Sequence, residues 1–198
     1  MDKLYFSEEH LMLRDMVRDF AVNEVRPISK EIDKKSIFPK ENIKKMAELG
    51  LMGIPWDTKY SGTGMDTRGL VIAIEEIGKE CASTAATMMA HTSLGTAPIA
   101  IFGNDEQKKK YLPLLASGKM LGAFGLTEPE AGSDAGNTQT RAIKHNDEYI
   151  INGQKVFCTN AGEAGTIIIT AVIEDNKVDK GIGAFIIDAD TKGLKIGE

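Results

Sequence analysis

The 198 residues include 24 basic and 29 acidic side chains, a net charge of -5, with 42% hydrophobic and 27% charged residues. That is an ordinary globular balance, long enough to bury a substantial core in one large or two small domains. No basic stripe appears, which argues against a nucleic-acid partner, and Lys108-Lys109-Lys110 reads as a solvated helix face.

Ser7 is a good N-cap, and Glu8-Glu9 suit the positive end of a helix. Leu13, Met16, Val17, Phe20 and Ala21 then follow an amphipathic stripe. Pro27 marks the next start, with Ile28 and Ile32 on its buried side. Pro39 opens a third helix, with Ile43, Met46 and Ala47 inward, and Gly50 stops it. Residues 53–69 are glycine-rich and irregular. Val71, Ile74, Ile77, Gly78 and Cys81 form a fourth stripe. Ser83 or Thr84 caps a long apolar helix that runs through Ile101 and ends at Gly103. Asn104 caps a last helix from Asp105 to Leu115, which Gly118 ends.

After residue 120 the runs become short and alternating: Gln139–Lys144, Glu148–Ile151, Gln154–Thr159, Thr166–Ile173 and Gly183–Ile187. Asn146-Asp147, Asn152-Gly153 and Asn176 punctuate them, and Asn152-Gly153 is the strongest hairpin signal. Helices followed by strands, without alternation, predict an α+β chain. An all-α domain over 1–119 precedes an antiparallel sheet or barrel domain over 120–198.

Several classes are excluded by pattern. No G-x-G-x-x-G follows a strand, and neither Gly78-Lys79-Glu80 nor Gly118-Lys119-Met120 has the spacing of a P-loop. His10, His91 and His145 are scattered, so no metal site is implied. Cys81 and Cys158 lie far apart and read as reduced thiols of a cytosolic-type compartment. The start, Met1 to Glu9, lacks the apolar core of a signal peptide. Residues 85–102 are apolar, but His91, Gly95 and Pro98 interrupt them, so they read as a buried helix and not a membrane span.

Two stretches stand out. The first is Leu121-Gly-Ala-Phe-Gly-Leu-Thr-Glu-Pro-Glu-Ala-Gly-Ser-Asp134, a strand that breaks at Pro129, Gly132 and Gly136. Its glycines suit close backbone approach and φ > 0, and its consecutive N–H groups suit an anion nest. Glu128, Glu130 and Asp134 would repel a phosphate, so backbone dipoles would have to hold any anion. The second is Asn152-Gly-Gln-Lys-Val-Phe-Cys-Thr-Asn160. Thr127 and Thr159 could offer donors to one planar ligand, with Phe157 as an apolar neighbour.

Gly-Leu-Thr-Glu-Pro-Glu-Ala-Gly-Ser-Asp (125–134) resembles the FAD-binding motif of the acyl-CoA dehydrogenases. Asn-Gly-Gln-Lys-Val-Phe-Cys-Thr-Asn (152–160) is similar to that family's second flavin segment. The resemblance covers the whole chain and is nearest the short-chain, butyryl-type enzymes. Departures are Asn137, where the family has a small residue, and Phe157 and Cys158, where it often has Trp and Ile. A complete member also continues past Glu198 into a C-terminal helical bundle.

The resemblance implies bound FAD and α,β-dehydrogenation of a short- or medium-chain acyl-CoA to a trans-2-enoyl-CoA. An electron-transfer flavoprotein takes the electrons, and the complete chain forms a homotetramer in the cytoplasm or, as a mature form, in the mitochondrial matrix. No nucleic acid and no membrane is involved. The backbone of Phe124, Gly125, Leu126 and Thr127, with the Thr127 hydroxyl, meets the flavin's pyrimidine edge. Gly132 and Ser133 lie by the pyrophosphate, Ser133 also by acyl-CoA. Phe157, Cys158 and Thr159 cover the ring. Met88, Met89 and Leu94 line the acyl pocket or, on the plainer reading, pack between helices. The family's base is a Glu beyond Glu198, so the catalytic residue is unknown here, Glu128 and Glu163 read as structural, and residues 1–198 alone are expected to be inactive. The alternatives are an acyl-CoA oxidase-like flavoenzyme and a non-catalytic binding module of the same fold.

Overall fold

The computed structural model describes residues 5–176 and 178–197; Met1–Leu4 lie outside them. The chain divides into two compact units, up to Met120 and from Leu121.

The first unit is helical. Helix α1 (Glu8–Phe20) continues through a π turn, Ala21–Val25, into α2 (Arg26–Lys35). Ser7 caps α1, and the box partner is His10 in place of the usual Glu or Gln: the Ser7 backbone N–H donates to His10 Nδ1 at 3.1 Å. His10 is itself buried, and its Nε2 lies 2.8 Å from Asp66. Asp66 is the N-cap of α4 (Thr67–Glu80), so one imidazole joins two helix starts. Leu13, Val17, Phe20 and Ala21 are buried as the stripe requires, while Met16 lies at its rim. Pro39 precedes α3 (Lys40–Glu48), and Gly50 follows it at φ 73.

Two helical expectations need correction. The buried residues of α4 are Gly69, Leu70, Ile72, Ala73, Glu76 and Ile77, with Val71 exposed. Leu70, Val71 and Ile72 are all apolar, so periodicity alone leaves the face ambiguous. The ion pair of Glu76 decides it: the buried carboxylate accepts from Arg18 Nε at 3.0 Å and Nη2 at 3.1 Å, and from Lys79 at 2.8 Å. Second, the long apolar helix begins at an extended Cys81, not at Ser83 or Thr84. It runs as α5 (Ala82–Met89), a π segment Ala90–Thr96, and α6 (Ala97–Phe102). Thr84, Thr87, His91, Thr92 and Thr96 are buried along it. No helix among the described residues is long and apolar enough to cross a membrane. Asn104 and Gln107 form the capping box of α7 (Asp105–Ala116).

The second unit is one five-stranded sheet: β1 (Leu121–Gly125), β2 (Arg141–His145), β3 (Glu148–Asn152), β4 (Ala164–Asp175) and β5 (Val178–Asp188). The long β4 organises it. Along one edge, β1 pairs with the first half of β4 and β2 with the second half, both parallel. Along the other edge, β5 pairs antiparallel with β4. The sheet is therefore mixed and not purely antiparallel as the sequence pattern predicts. Parallel neighbours need long crossover connections, and the loops from β1 to β2 and from β3 to β4 supply that length. The β2–β3 hairpin turns at Asn146-Asp147, with Asn146 at φ 56. Asn152-Gly153 forms no hairpin, and Gln154–Thr159 is not a strand.

Gly118 closes the helical unit at φ 69, where an added Cβ would lie 2.5 Å from Ala47 Cβ. Gly118→Ala is expected to lower the unfolding free energy by about 1–3 kcal/mol through backbone strain and overpacking. Urea denaturation reads this directly; an unchanged midpoint would refute it.

Candidate functional site

Both marked stretches lie in the sheet unit, and the structure lays them side by side. The second runs along β1 in the opposite direction. Val156 N–H donates to the Thr127 carbonyl at 2.8 Å, and Asn160 Nδ2 donates to the Gly122 carbonyl at 3.3 Å. Between them, the Cys158 thiol is hydrogen-bonded to the Phe124 backbone; burial raises its pKa above the ordinary value and that contact partly offsets the rise. Cys158 also packs on the core of Ala123, Ala164 and Ile167. It is a half-buried thiol with weak thiolate character.

One buried ion pair fixes this arrangement. Lys155 Nζ lies 2.6 Å from Glu128 Oε1, with the two side chains 10% and 3% exposed. The ammonium uses all three donors: Glu128, the Leu126 carbonyl at 3.0 Å and Thr170 Oγ1 on β4 at 3.1 Å. The carboxylate also accepts from the Gln139 N–H at 2.6 Å, the Thr140 N–H at 3.1 Å and the Thr140 hydroxyl at 2.5 Å. Burial pushes the Glu128 carboxyl up, but Lys155, Thr140 and the Gln139 N–H together outweigh it and hold the pKa at about 2. Of the three carboxylates in this loop, one is therefore cancelled by a lysine, and only Glu130 and Asp134 are exposed.

Two glycines make the pair possible. A Cβ at Gly125 would press on the Lys155 stem at 3.1 Å, and a Cβ at Gly153 would sit 2.2 Å from Thr140 Oγ1. Gly153 thus serves close approach, not a hairpin. The Glu128-Pro129-Glu130-Ala131 turn closes with Glu128 and Ala131 exchanging N–H···O bonds at 2.9 and 3.2 Å. Gly132 is exposed, nothing lies within 4 Å of where its Cβ would be, and neither it nor Gly136 adopts positive φ. Openness, and not left-handed backbone, is what glycine provides there. Asn137, the departure from the family pattern, fastens the loop by donating to the Glu130 carbonyl at 3.3 Å.

What remains unengaged in the two segments is a set of hydroxyls and an exposed aromatic. Among the described residues, no protein partner engages the hydroxyls of Thr127, Ser133 or Thr159. Phe157 is 91% exposed and sits at φ 55, a left-handed conformation unusual for a bulky residue. Phe124 is half-buried, Gly125 buried and Leu126 exposed on the rim. Hydroxyl donors, an uncrowded glycine and an unburied aromatic suit a planar ligand with a polar edge and an anionic tail. In the helical unit, Met88 is fully buried as a core residue, whereas Met89 and Leu94 are 44% and 43% exposed. Sequence reading missed Lys155, Thr140 and Thr170. The available signal was a lone lysine in one motif and a Glu in the other.

Glu128 has a folded pKa of about 2 against an ordinary 4.5. Its contribution is therefore fully present above pH 5 and is lost as pH falls toward about 2. Glu128→Gln should cost roughly 3 kcal/mol at pH 7, by leaving Lys155 without its counter-charge. The same change should flatten the acid limb of stability between about pH 5 and 3. Urea midpoints at pH 7, 5 and 3 check both; a parallel acid limb in the variant refutes the assignment.

Residues 7–119 match the family model for the acyl-CoA dehydrogenase N-terminal domain, and residues 123–198 match that for the middle domain. The chain is 51% identical over 191 residues to a probable acyl-CoA dehydrogenase of Bacillus subtilis, covering 96% of this chain and 50% of that relative. It is 49% identical over 192 residues to the short-chain specific acyl-CoA dehydrogenase of Clostridium acetobutylicum, covering 97% of this chain and 51% of that relative. A solved acyl-CoA dehydrogenase from Bacillus anthracis, complexed with FAD, aligns with a TM-score of 0.89 at 37% identity, covering 98% of this chain and 34% of that one. The chain spans about half the length of the curated relatives it matches. With the two models lying end to end over nearly all of its residues, the chain belongs to the acyl-CoA dehydrogenase family.

Proposed function

We propose that residues 1–119 and 120–198 are the N-terminal and middle domains of an FAD-dependent dehydrogenase acting on short- or medium-chain acyl-CoA. The product is a trans-2-enoyl-CoA, and the electrons pass to an electron-transfer flavoprotein. The observation that carries this reading is the set of unengaged hydroxyls, Thr127, Ser133 and Thr159, within the two marked segments, together with the exposed ring of Phe157. Family membership and the short-chain relative support it.

FAD, when bound, supplies the two-electron acceptor for the β-hydrogen of the thioester. Within the stretch Phe124 to Thr127, the Phe124 backbone is taken up by Cys158, and the Thr127 N–H and hydroxyl donate to the polar edge, where fixed donors meet charge without reorganising. Gly132 and Ser133 leave room for the pyrophosphate, and Ser133 also faces acyl-CoA. Phe157, Cys158 and Thr159 cover the ring and exclude water. Glu128 is unsuited as the base: its oxygens are held by Lys155, Thr140 and Gln139, and a pKa of about 2 makes it a poor proton acceptor. The base belongs to the half of the relatives' length that this chain does not span, so residues 1–198 alone should not turn over butyryl-CoA. Of the residues assigned to chain length, Met89 and Leu94 are exposed and Met88 is a buried core residue.

The test is reconstitution of the longest natural chain carrying residues 1–198 with FAD. Flavin absorbance should be retained through gel filtration. Thr127→Val should weaken retention by about 1–3 kcal/mol, a loss of roughly fivefold to more than a hundredfold in affinity. A wild-type protein that retains no flavin overturns the reading.

A further inference from the structure

The geometry points to Lys155 as a positioning residue for the flavin edge, with Glu128 as its counter-charge, the pair aiming the Thr127 N–H and setting the flavin's reduction potential. This rests on the flavin-site reading above and goes beyond it.

Two peptide planes flank Thr127. In a trans peptide, the C=O and N–H point in opposite directions. The carbonyl of Leu126 accepts from Lys155 Nζ at 3.0 Å, so the N–H of the same plane, which is that of Thr127, is aimed away from Lys155. The next plane is held likewise: the Thr127 carbonyl accepts from Val156 N–H at 2.8 Å, and the Glu128 N–H of that plane donates to Ala131. Both peptides flanking Thr127 are therefore clamped by consecutive residues, 155 and 156, of the other segment. The Thr127 N–H itself meets no protein acceptor among the described residues.

Charge adds to orientation. A charge-assisted bond to the carbonyl polarises the amide and strengthens its N–H as a donor. Lys155 cannot drift, because Glu128 and Thr170 take its other two protons and its stem packs on Gly125. The pair is internally neutral, so its two members act on the same place with opposite signs. Lys155 favours negative charge beyond the Thr127 N–H, and Glu128 disfavours it. Reduced flavin carries more negative charge at that edge than oxidised flavin.

This sign difference separates positioning from mere structural support. Lys155→Met leaves the Glu128 charge and loses the polarised donor. It should weaken binding of reduced FAD about tenfold more than of oxidised FAD, which lowers a two-electron potential by about 30 mV. Glu128→Gln keeps the lysine on the Leu126 carbonyl and removes the opposing charge, so the potential should rise. Loosening of the loop alone would move both variants in one direction. Potentials are read by reductive titration of the FAD-loaded protein against a reference dye. Amide exchange of residues 125–131 in the apoprotein is measured beside them, and should quicken in Lys155→Met. Opposite shifts support the inference; equal shifts, or none, overturn it while leaving FAD binding intact. If Lys155→Met does not fold, Glu128→Gln decides alone, and an unchanged or lowered potential is fatal. A wild type that takes up no FAD removes the flavin-site reading and this inference with it.

Discussion

The sheet unit depends on one buried contact, Lys155 with Glu128. Both ions are largely withdrawn from water, and such a pair is tolerable only when geometry and further hydrogen bonds compensate for desolvation. Here they do: three ammonium protons and both carboxylate oxygens find partners from four separate stretches of chain. Breaking one side leaves a buried charge, so the pair enforces specificity more than it adds stability. Its demand propagates outward. Gly125 must lack a side chain because the lysine stem passes there, and Gly153 must lack one because Thr140 leans in to reach Glu128.

The helical unit solves the same problem with different means. Glu76 is buried 4% exposed on α4, and the Arg18 fork chiefly holds its carboxyl below the ordinary range against the opposing push of burial. His91 is fully buried, and burial lowers its pKa to about 4 despite hydrogen bonds to the backbone of Leu115 and Met52. It is therefore neutral near pH 7 and acts as a polar tie between core segments. His10 bridges two N-caps. In each case a polar side chain joins elements distant in sequence, while the apolar stripes supply the burial.

Local rules were legible and long-range ones were not. Ser7, Pro39, Gly50, Asn104 and Gly118 mark helix boundaries because capping depends only on neighbours. The face of α4 was not legible, since Leu70, Val71 and Ile72 are alike in hydropathy and Glu76 is turned inward by Arg18, fifty-eight positions away. The stretch Gln154–Thr159 has a strand's alternation. A regular strand would put Lys155 on the same face as exposed Phe157 and Thr159, and Glu128 would lose its partner. The ion pair wins, because an unpaired buried carboxylate costs several kcal/mol and one short strand contributes less. The two flavin-like segments were legible as motifs, but their lysine and glutamate looked like ordinary charges until the fold brought them together.

Phe157 shows what the clamp achieves. A bulky residue at φ 55 costs about 1–3 kcal/mol of backbone strain. Leaving the ring 91% exposed also forgoes the roughly 2 kcal/mol that burial would return. Nothing local compensates for either. The conformation persists because the chain is held on both sides: Lys155 and Val156 fasten it to the Leu126 and Thr127 carbonyls, and Asn160, itself at φ 73, is buried against Gly122. An aromatic kept strained and solvent-facing between two such anchors is placed for contact with something outside the chain. The same anchors hold both peptides that flank Thr127, so a change at Lys155 must disturb Thr127 and Phe157 together.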